Sequence, residues 1–205
     1  MKVLFIEAIR KDLKLNKKTI SLLGKLPNNL NILYTIQYKS LAKEVRNIIS
    51  SQKNIKHFRQ VLGCTDVSNL KDPIFLIGSG KFHATQLALS SNQPVYILEG
   101  EHISKINNQD IKHLQKKKKT ALMKFYDAKE VGILVSTKPG QENFKKALNL
   151  QKQLEHQGKN SFIFIANDIN ISEFENFSCD IWVNTACPGL SLDSTKIINI
   201  KDLKF

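Results

Sequence analysis

The stretch PIFLIGSGKFHATQLALSSNQPVYILEG, residues 73–100, contains the pattern that decides the fold. An apolar run, 73–78, enters the turn Gly78-Ser79-Gly80. A helical pattern over 82–91 follows, and then a second apolar run, 95–98. Apolar strands separated by a helix are typical of parallel sheets that helices cover on both faces. The stretch therefore predicts a strand–helix–strand unit of an α/β protein.

The same alternation extends to both sides of this stretch. Apolar runs predict strands at 3–9, 30–36, 58–62, 131–136, 161–166 and 180–184, and helical patterns predict helices at 17–25, 40–51, 109–127, 141–157 and 171–176. The polar stretch 99–108 interrupts the pattern, and no repeat is evident in the sequence. We therefore expect two tandem α/β domains with mainly parallel sheets, residues 1–100 and 101–205.

Composition limits the classes of partner. The formal net charge is +13, but 28 of the 31 basic residues are lysine, whereas nucleic-acid sites favour arginine for its planar fork. The lysine run 116–119 is most simply a solvated helix face, so direct nucleic-acid binding is not expected. No run approaches the roughly 18 apolar residues of a membrane span, and the N-terminus has no signal-peptide pattern. These features predict a cytoplasmic protein that does not enter a membrane.

The three cysteines differ in their position relative to the predicted strands. An odd count does not suggest a disulfide framework. Cys64 and Cys187 each follow a strand, where ligand sites of parallel sheets lie, but Cys179 precedes its strand at the opposite edge. Taken alone, each cysteine can equally be a small buried hydrophobe. Pro188 adds weight to Cys187, because a Cys-Pro step holds a thiolate in a rigid turn and recurs at iron–sulfur ligands.

Other polar residues follow the predicted strands. The Gly78-Ser79-Gly80 turn can bring backbone N–H groups close to a polar ligand, although such glycines often serve the turn alone. His83, at the start of the next helix, is either a ligand contact or a residue bonded to the backbone. In the turn 136–141, Ser136 and Thr137 can cap the following helix, and the side chains of Lys138 and Gln141 can reach a carboxylate or another polar group. The order of a phosphate-binding Walker loop is absent there.

Several segments in this chain resemble the signature blocks of the diphthamide-synthesis radical enzymes. They are YTIQY (34–38), QVLGCTD (60–66), FLIGSGKFHATQLAL (75–89), GILVSTKPGQ (132–141) and WVNTACPGLSLD (182–193). They occur in the order of the family and span nearly the whole chain, and the compact archaeal members are the most similar. The resemblance implies Rossmann-like or flavodoxin-like domains equivalent to the family's second and third.

The resemblance also implies a function. Each of the family's three domains donates one cysteine to a 4Fe–4S cluster, which cleaves S-adenosylmethionine and transfers its 3-amino-3-carboxypropyl group to a histidine of translation elongation factor two. Cys64 matches the middle domain's cysteine and Cys187 the last domain's, whereas Cys179 matches no ligand. We expect Cys64 and Cys187 to share a cavity between the domains. The residues predicted to line the S-adenosylmethionine pocket are Gly78, Ser79, Gly80, His83, Ser136, Thr137, Lys138, Gly140 and Gln141.

The chain departs from the family in one respect: the first domain and its cysteine have no counterpart. A split enzyme with a separate first-domain chain, a truncated product and a decayed or accessory member all explain this departure. We expect a component of diphthamide synthesis that works with a separate chain and forms a homo- or heterodimer. The alternatives are a noncatalytic scaffold or degenerate fragment, and an ordinary nucleotide-binding α/β protein without iron.

Overall fold

The computed structural model describes residues 4, 6–63, 65–174, 176–192 and 194–203. The chain divides into two compact units, Met1–Lys112 and His113–Phe205. The division lies inside a helix and later than the expected one after residue 100. The polar stretch that predicted the boundary contains a strand, His102–Lys105, that pairs with the first unit's sheet.

The first unit is a five-stranded sheet with helices on both faces. Its elements are α1 (Lys17–Leu23), β1 (Asn29–Tyr34), α2 (Lys39–Ile49), β2 (Asn54–Gln60), β3 (Ile74–Ile77), α3 (Lys81–Ser91), β4 (Val95–Glu99) and β5 (His102–Lys105). The strand order is β2-β1-β3-β4-β5, and all neighbours are parallel except the antiparallel pair β4–β5. The carboxyl ends of β1, β3 and β4 therefore lie at one edge.

Two apolar clusters hold the first unit together, one on each face of the sheet. On one face, Ile32 and Phe75 pack with Leu41 and Val45 of α2. On the other, Leu33, Ile74 and Leu76 pack with Leu87 of α3. Burial on both faces explains why β3 reads as a continuous apolar run and not as an alternating one.

The second unit is a four-stranded, wholly parallel sheet of order β7-β6-β8-β9. Helix α4 (Asn108–Asp127) begins in the first unit and ends in the second; the other elements are β6 (Glu130–Ser136), α5 (Phe144–His156), β7 (Asn160–Ala166), β8 (Ile181–Asn184) and β9 (Ile197–Asn199), with 3₁₀ turns at Ile171–Phe174, Pro188–Leu192 and Ile200–Asp202. The predicted α/β fold with mainly parallel sheets is confirmed.

The two faces of the second sheet are covered differently. Helices α4 and α5 pack on one face, with Phe125 and Leu150 in the core. On the other face Trp182 packs against Phe164 and Phe174, and the latter comes from the 3₁₀ turn Ile171–Phe174. Gly132 lies under Trp182 so closely that a Cβ would fall 2.2 Å from two indole carbons. The glycine is therefore a packing requirement of this face.

The structure corrects three expectations of secondary structure. The strand predicted at 3–9 is wrong, because residues 4 and 6–9 form no strand, and Leu4 and Ile6 are each 83% exposed. An apolar run becomes a strand only where its backbone pairs with another strand, and residues 4 and 6–9 take no part in the pairings of this sheet. The helix predicted at 171–176 is the 3₁₀ turn Ile171–Phe174, and the short strands β5 and β9 were missed.

A lysine that donates to backbone carbonyls at the end of a helix occurs once in each unit. Lys159 Nζ donates to the carbonyl oxygens of Phe125 at 3.2 Å, Tyr126 at 2.8 Å and Ala128 at 2.5 Å, at the end of α4. Lys53 Nζ donates in the same way after α1, to Gly24 O at 3.1 Å and Leu26 O at 2.6 Å. Each lysine immediately precedes an edge strand, so the two units share a motif that the sequence does not reveal. No helix among the described residues has the length and apolar character needed to cross a membrane.

Replacing Lys159 with methionine is expected to lower the free energy of unfolding of the second unit by about 1.5–3 kcal/mol, the range for hydrogen bonds to a charged group. The variant loses an ammonium whose three donors satisfy carbonyls at a helix C-terminus, where a cation is also favoured. Urea unfolding followed by the fluorescence of Trp182, the single tryptophan, measures the change. Lys152→Met, at an exposed position of α5, is the matched control, and an equal loss in both variants would contradict the assignment.

Candidate functional site

The predicted site residues of the first unit lie in the turn after β3 and at the start of α3. Gly80 has a φ of +78°, a left-handed conformation that favours glycine, and its N–H donates to Glu99 Oε1 at 2.9 Å. Gly78 lies beside Thr35, which follows the neighbouring strand β1. Burial lowers the pKa of His83, which favours the neutral imidazole. The turn therefore combines backbone amides, a neutral ring and a carboxylate.

In the second unit, the turn after β6 is held by hydrogen bonds within the turn and to Asn167, which follows β7. The buried Ser136 donates from Oγ to Asn167 O at 3.0 Å and accepts from Lys138 N at 3.1 Å. Thr137 donates from Oγ1 to Asn167 Oδ1 at 3.4 Å. Gln141 N donates to Lys138 O at 3.0 Å. These bonds fix the backbone of the turn and leave the Gln141 amide group to other partners.

Two features of this turn were not anticipated from sequence. Lys138 Nζ forms an ion pair with Asp168, and this hydrogen bond lowers the pKa of the Asp168 carboxyl. Gly140 has a φ of +80°, which makes it a conformational glycine of the turn. Asn143 then ties the turn to the next loop, because its Nδ2 donates to Gln141 O at 3.2 Å and to Thr185 O at 2.8 Å. The turn after β6 and the loop after β8 are thus joined.

The loop after β8 contains Cys187, and a network of side-chain amides holds it. Asn184 Nδ2 donates to Cys187 O at 2.7 Å and to Asn199 Oδ1 at 2.7 Å. Asn199 Nδ2 donates in turn to Pro188 O at 3.3 Å and to Ser191 Oγ at 2.6 Å. Asn184 and Asn199 are 1% and 5% exposed and end adjacent strands. Buried side chains therefore hold the backbone of the Cys-Pro turn in place. The half-buried Cys187 is a free thiol.

Cys179 has a different environment. It lies before β8, at the amino edge of the sheet, and packs on the aromatic face near Trp182. Burial raises the pKa of the Cys179 thiol, and the nearby carboxylates of Glu130 and Asp180 raise it further. A thiol held in its protonated form is a poor metal ligand, because the thiolate is the form that binds metals. Cys64 lies outside the described residues.

The side chains available as ligands determine whether this chain can hold a metal group. Over 4, 6–63, 65–174, 176–192 and 194–203, no group of three or more His, Cys, Asp or Glu side chains is arranged to hold a metal ion. Among these residues Cys187 is the thiol at a carboxyl edge, in a preformed turn of the kind that holds iron–sulfur ligands. Cys187 therefore has the position and the preformed turn that a single thiolate ligand requires.

The predicted residues fall into one group in each unit. Gly78, Ser79, Gly80 and His83 lie together in the first unit; Ser136, Thr137, Lys138, Gly140, Gln141 and Cys187 lie in two joined loops of the second. Sequence reasoning missed Thr35, Glu99 and the asparagines at positions 143, 184 and 199. A polar residue directly after an apolar strand was the available signal for Thr35, Glu99 and Asn184. Asn143 and Asn199 carried no comparable signal.

The fold and the turns at the carboxyl ends of the strands define the class of protein. It is an α/β protein of two units with mainly parallel sheets, and glycine turns and a cysteine turn follow its strands. The chain belongs to the family described as "Putative diphthamide synthesis protein", whose model matches residues 1–197.

Relatives and solved structures agree with this membership. The chain is 28% identical over 189 residues to 2-(3-amino-3-carboxypropyl)histidine synthase of Pyrococcus horikoshii, covering 86% of this chain and 55% of that protein. It is 28% identical over 166 residues to the synthase of Methanocaldococcus jannaschii, covering 79% and 45%. The crystal structure of Dph2 from Pyrococcus horikoshii superposes with a TM-score of 0.78 at 27% identity, covering 91% and 59%, and that protein has also been solved with a 4Fe–4S cluster. The chain thus spans about half the length of the curated relatives it matches.

Proposed function

We propose that the chain is a component of diphthamide biosynthesis that contributes to 4Fe–4S-dependent transfer of the 3-amino-3-carboxypropyl group from S-adenosylmethionine to a histidine of translation elongation factor two. The family match over residues 1–197 is the observation that carries the proposal. The name of the archaeal relatives, 2-(3-amino-3-carboxypropyl)histidine synthase, supports the same product. The reaction takes place in the cytoplasm, where the protein substrate is found.

Cys64 and Cys187 are the cluster ligands that the proposal assigns to this chain. The bound cluster supplies an electron, from an external reductant, for reductive cleavage of the γ-carbon–sulfur bond of S-adenosylmethionine. Asn184 and Asn199 hold the backbone of the Cys187 turn, so the thiolate needs little reorganisation on binding. The proposal leaves Cys179 out of the ligand set, because it lies at the opposite edge of its sheet from Cys187 and burial raises the pKa of its thiol.

The turn residues form the proposed pocket for S-adenosylmethionine. They are Gly78, Ser79, Gly80, His83, Ser136, Thr137, Lys138, Gly140 and Gln141. Lys138 is the cation of this set, and it can receive the ligand carboxylate in place of Asp168, its present partner. The neutral His83 and the Gln141 amide offer hydrogen bonds without adding charge. In this arrangement the protein orients the ligand and excludes alternatives, and the cofactor provides the difficult chemistry.

The proposal includes partners. A cluster that keeps one iron open for S-adenosylmethionine needs three protein thiolates, and this chain offers two at suitable positions. The third is assigned to a separate polypeptide with the family's first domain, within a homo- or heterodimeric assembly. Elongation factor two is the protein substrate.

A second candidate is a noncatalytic accessory subunit or a degenerate fragment of the same enzyme. The observation that favours it is the name of other relatives, 2-(3-amino-3-carboxypropyl)histidine synthase subunit 1, which describes one subunit of an assembly. Such a subunit would contact the elongation factor or shield a cluster without cleaving S-adenosylmethionine. The two candidates differ in whether the cysteines of this chain matter to the reaction.

The test is reductive cleavage of S-adenosylmethionine under anaerobic conditions. The chain is reconstituted with iron and sulfide and assayed alone, and then together with a first domain taken from a related archaeal enzyme. We expect no cleavage by the chain alone and cleavage by the mixture, because only the mixture provides three thiolates. Quantifying the cleavage product by mass spectrometry measures both reactions.

Each outcome decides between the candidates. Robust cleavage by the chain alone contradicts the partner requirement. Cleavage by the mixture that survives combined replacement of Cys64 and Cys187 by serine favours the accessory subunit. A mixture that binds iron and never cleaves S-adenosylmethionine contradicts the catalytic proposal.

A further inference from the structure

A buried hydroxyl without a partner lies at the carboxyl edge of the first sheet. Thr35 directly follows β1 and is 7% exposed, and its Oγ1 has no hydrogen-bond partner among the described residues. It is the residue before the 3₁₀ turn Ile36–Tyr38, where a threonine often caps the turn, yet its side chain makes no such bond. A buried hydroxyl left unpaired is costly, so the Thr35 oxygen calls for a hydrogen-bond partner from outside the described residues.

The hydroxyl borders the glycine turn. A Cβ at Gly78 would lie 3.3 Å from Thr35 Cγ2 and 3.4 Å from Thr35 Oγ1. A side chain at position 78 would therefore contact Thr35 at both Cγ2 and Oγ1, whereas glycine leaves space beside the hydroxyl. Because β1 and β3 are neighbours in the sheet, Thr35 and Gly78 mark one side of the turn.

A carboxylate marks the other side of the same turn. Glu99 ends β4, the other neighbour of β3, and its Oε1 accepts the Gly80 N–H at 2.9 Å. Glu99 is exposed, and a carboxylate has acceptor sites on both oxygens beyond the one that Gly80 occupies. The order strand, Gly-x-Gly turn, helix, strand, and an acidic residue about 20 positions after the first glycine is the arrangement that receives a ribose diol in dinucleotide-binding folds.

The charges around the turn favour a neutral ligand group. Helix α3 has 11 residues, and no side chain caps its N-terminus, so the positive end of its dipole faces the turn. This end disfavours a cation, and the Glu99 carboxylate disfavours an anion. A pair of neutral hydroxyls can donate one hydrogen bond to the Glu99 carboxylate and form another with Thr35 Oγ1. Because they carry no charge, neither the helix dipole nor the carboxylate repels them.

We propose that Thr35 and Glu99, with the Gly78-Ser79-Gly80 turn between them, form a subsite for the ribose hydroxyls of an adenosyl group. The inference rests on the proposed function, because S-adenosylmethionine supplies that group. It adds Thr35 and Glu99 to the proposed pocket, and it orients the ligand with its ribose at this turn of the first unit. His83 occupies the position of the third glycine in the dinucleotide-binding pattern. That glycine allows the helix to pack closely on the strand, and the proposed subsite does not depend on such close packing.

Binding of nucleosides to the full chain tests the subsite. Adenosine and 2′-deoxyadenosine are titrated into the ¹⁵N-labelled protein, and the amide shifts of Gly78 and Gly80 are followed by NMR. We expect adenosine to bind at least about tenfold more tightly, the loss typical of a hydrogen bond to a charged group. Glu99→Gln should abolish this discrimination, whereas Glu101→Gln, at an exposed position two residues away, should preserve it.

Thr35→Val separates a ligand contact from a structural one. The variant removes a hydroxyl that has no described partner, so we expect its melting temperature to be unchanged or raised while its affinity for adenosine falls several-fold. A clear loss of stability with unchanged affinity would assign Thr35 a structural role and contradict the subsite.

Equal binding of the two nucleosides, or no shift at Gly78 and Gly80 with millimolar adenosine, also overturns the subsite. If cleavage of S-adenosylmethionine is observed in the mixture described above while the nucleosides bind alike, the ribose assignment alone has failed. If the chain discriminates between the nucleosides and no cleavage is ever observed, the subsite stands and the proposed function has failed.

Discussion

Replacing Gly132 with alanine is expected to destabilise the second unit by about 3 kcal/mol or more, at or above the upper range for overpacked cores. The new Cβ would lie 2.2 Å from Cε3 and Cζ3 of Trp182. The indole cannot move aside easily, because Phe164 packs on it at 4.9 Å and Phe174 at 5.1 Å between ring centroids. Since domains are stable by only about 5–15 kcal/mol, a single methyl group removes a large share of the total.

Trp182 also supplies the measurement, because it is the single tryptophan and is 5% exposed. Its fluorescence reports unfolding of the second unit in urea. Gly24→Ala, in the first unit, is the control for the substitution itself and is read by circular dichroism: Gly24 has helical dihedral angles, and its Cβ would lie 3.4 Å from Ser21 O, an ordinary contact. In a double-mutant cycle read by circular dichroism, Trp182→Leu should reduce the penalty of Gly132→Ala. A penalty of the same size in both backgrounds would show that the clash is not its cause.

Replacing Cys187 with serine is expected to lower the iron retained by the complex with a first domain by about tenfold or more, since changes beyond the ligands themselves already cost 10–100-fold in metal affinity. Serine keeps the size of the side chain and replaces the soft sulfur donor with a hydroxyl. The hydrogen bonds of the turn run through the Cys187 and Pro188 carbonyls and the Asn184 and Asn199 amides, so the variant keeps its fold. Iron and acid-labile sulfide, measured after anaerobic reconstitution and desalting, give the result.

Cys179→Ser is the matched control for this experiment. It lies only eight positions earlier in the sequence, but at the amino edge of the sheet and in a setting that raises its pKa. We expect this variant to retain iron like the unaltered chain. Equal iron in Cys187→Ser and Cys179→Ser, both at the level of the unaltered chain, would remove Cys187 from the ligand set.

The helices and central strands could be predicted from sequence because their pattern is local. Strand β3 is buried on both faces and reads as an unbroken apolar run, and α2 places Leu41 and Val45 one turn apart on a buried face. The edge strands could not be predicted in this way. Strand β5, HISK, is mostly exposed and is defined by its antiparallel pairing to β4. Conversely, the apolar segment at 3–9 had the composition of a strand, but its described residues, 4 and 6–9, form none.

The candidate site divides in the same manner. The glycines, Lys138 and Cys187 could be identified because each follows an apolar strand, and the ends of parallel strands share an edge. The partners of these residues are distant in sequence. Asn184 bonds to Asn199 fifteen positions later, and Glu99 reaches Gly80 nineteen positions earlier. Asparagine and glutamate are common in loops, so neither residue type marks the contact in advance.

The sequence by itself determined the α/β class and the positions of the glycine and cysteine turns, because both follow from the spacing of apolar residues along the chain. Only the tertiary structure decided which strands pair, that Gly132 lies under Trp182, and that the Thr35 hydroxyl has no hydrogen-bond partner in the described part of the chain. It also revealed that Lys53 and Lys159 each donate hydrogen bonds to carbonyls at the end of a helix about 30 residues earlier in the chain. The physical reason is range: periodicity records which face of an element is buried, whereas a hydrogen bond or a ring contact depends on which distant residue the fold brings within a few ångströms.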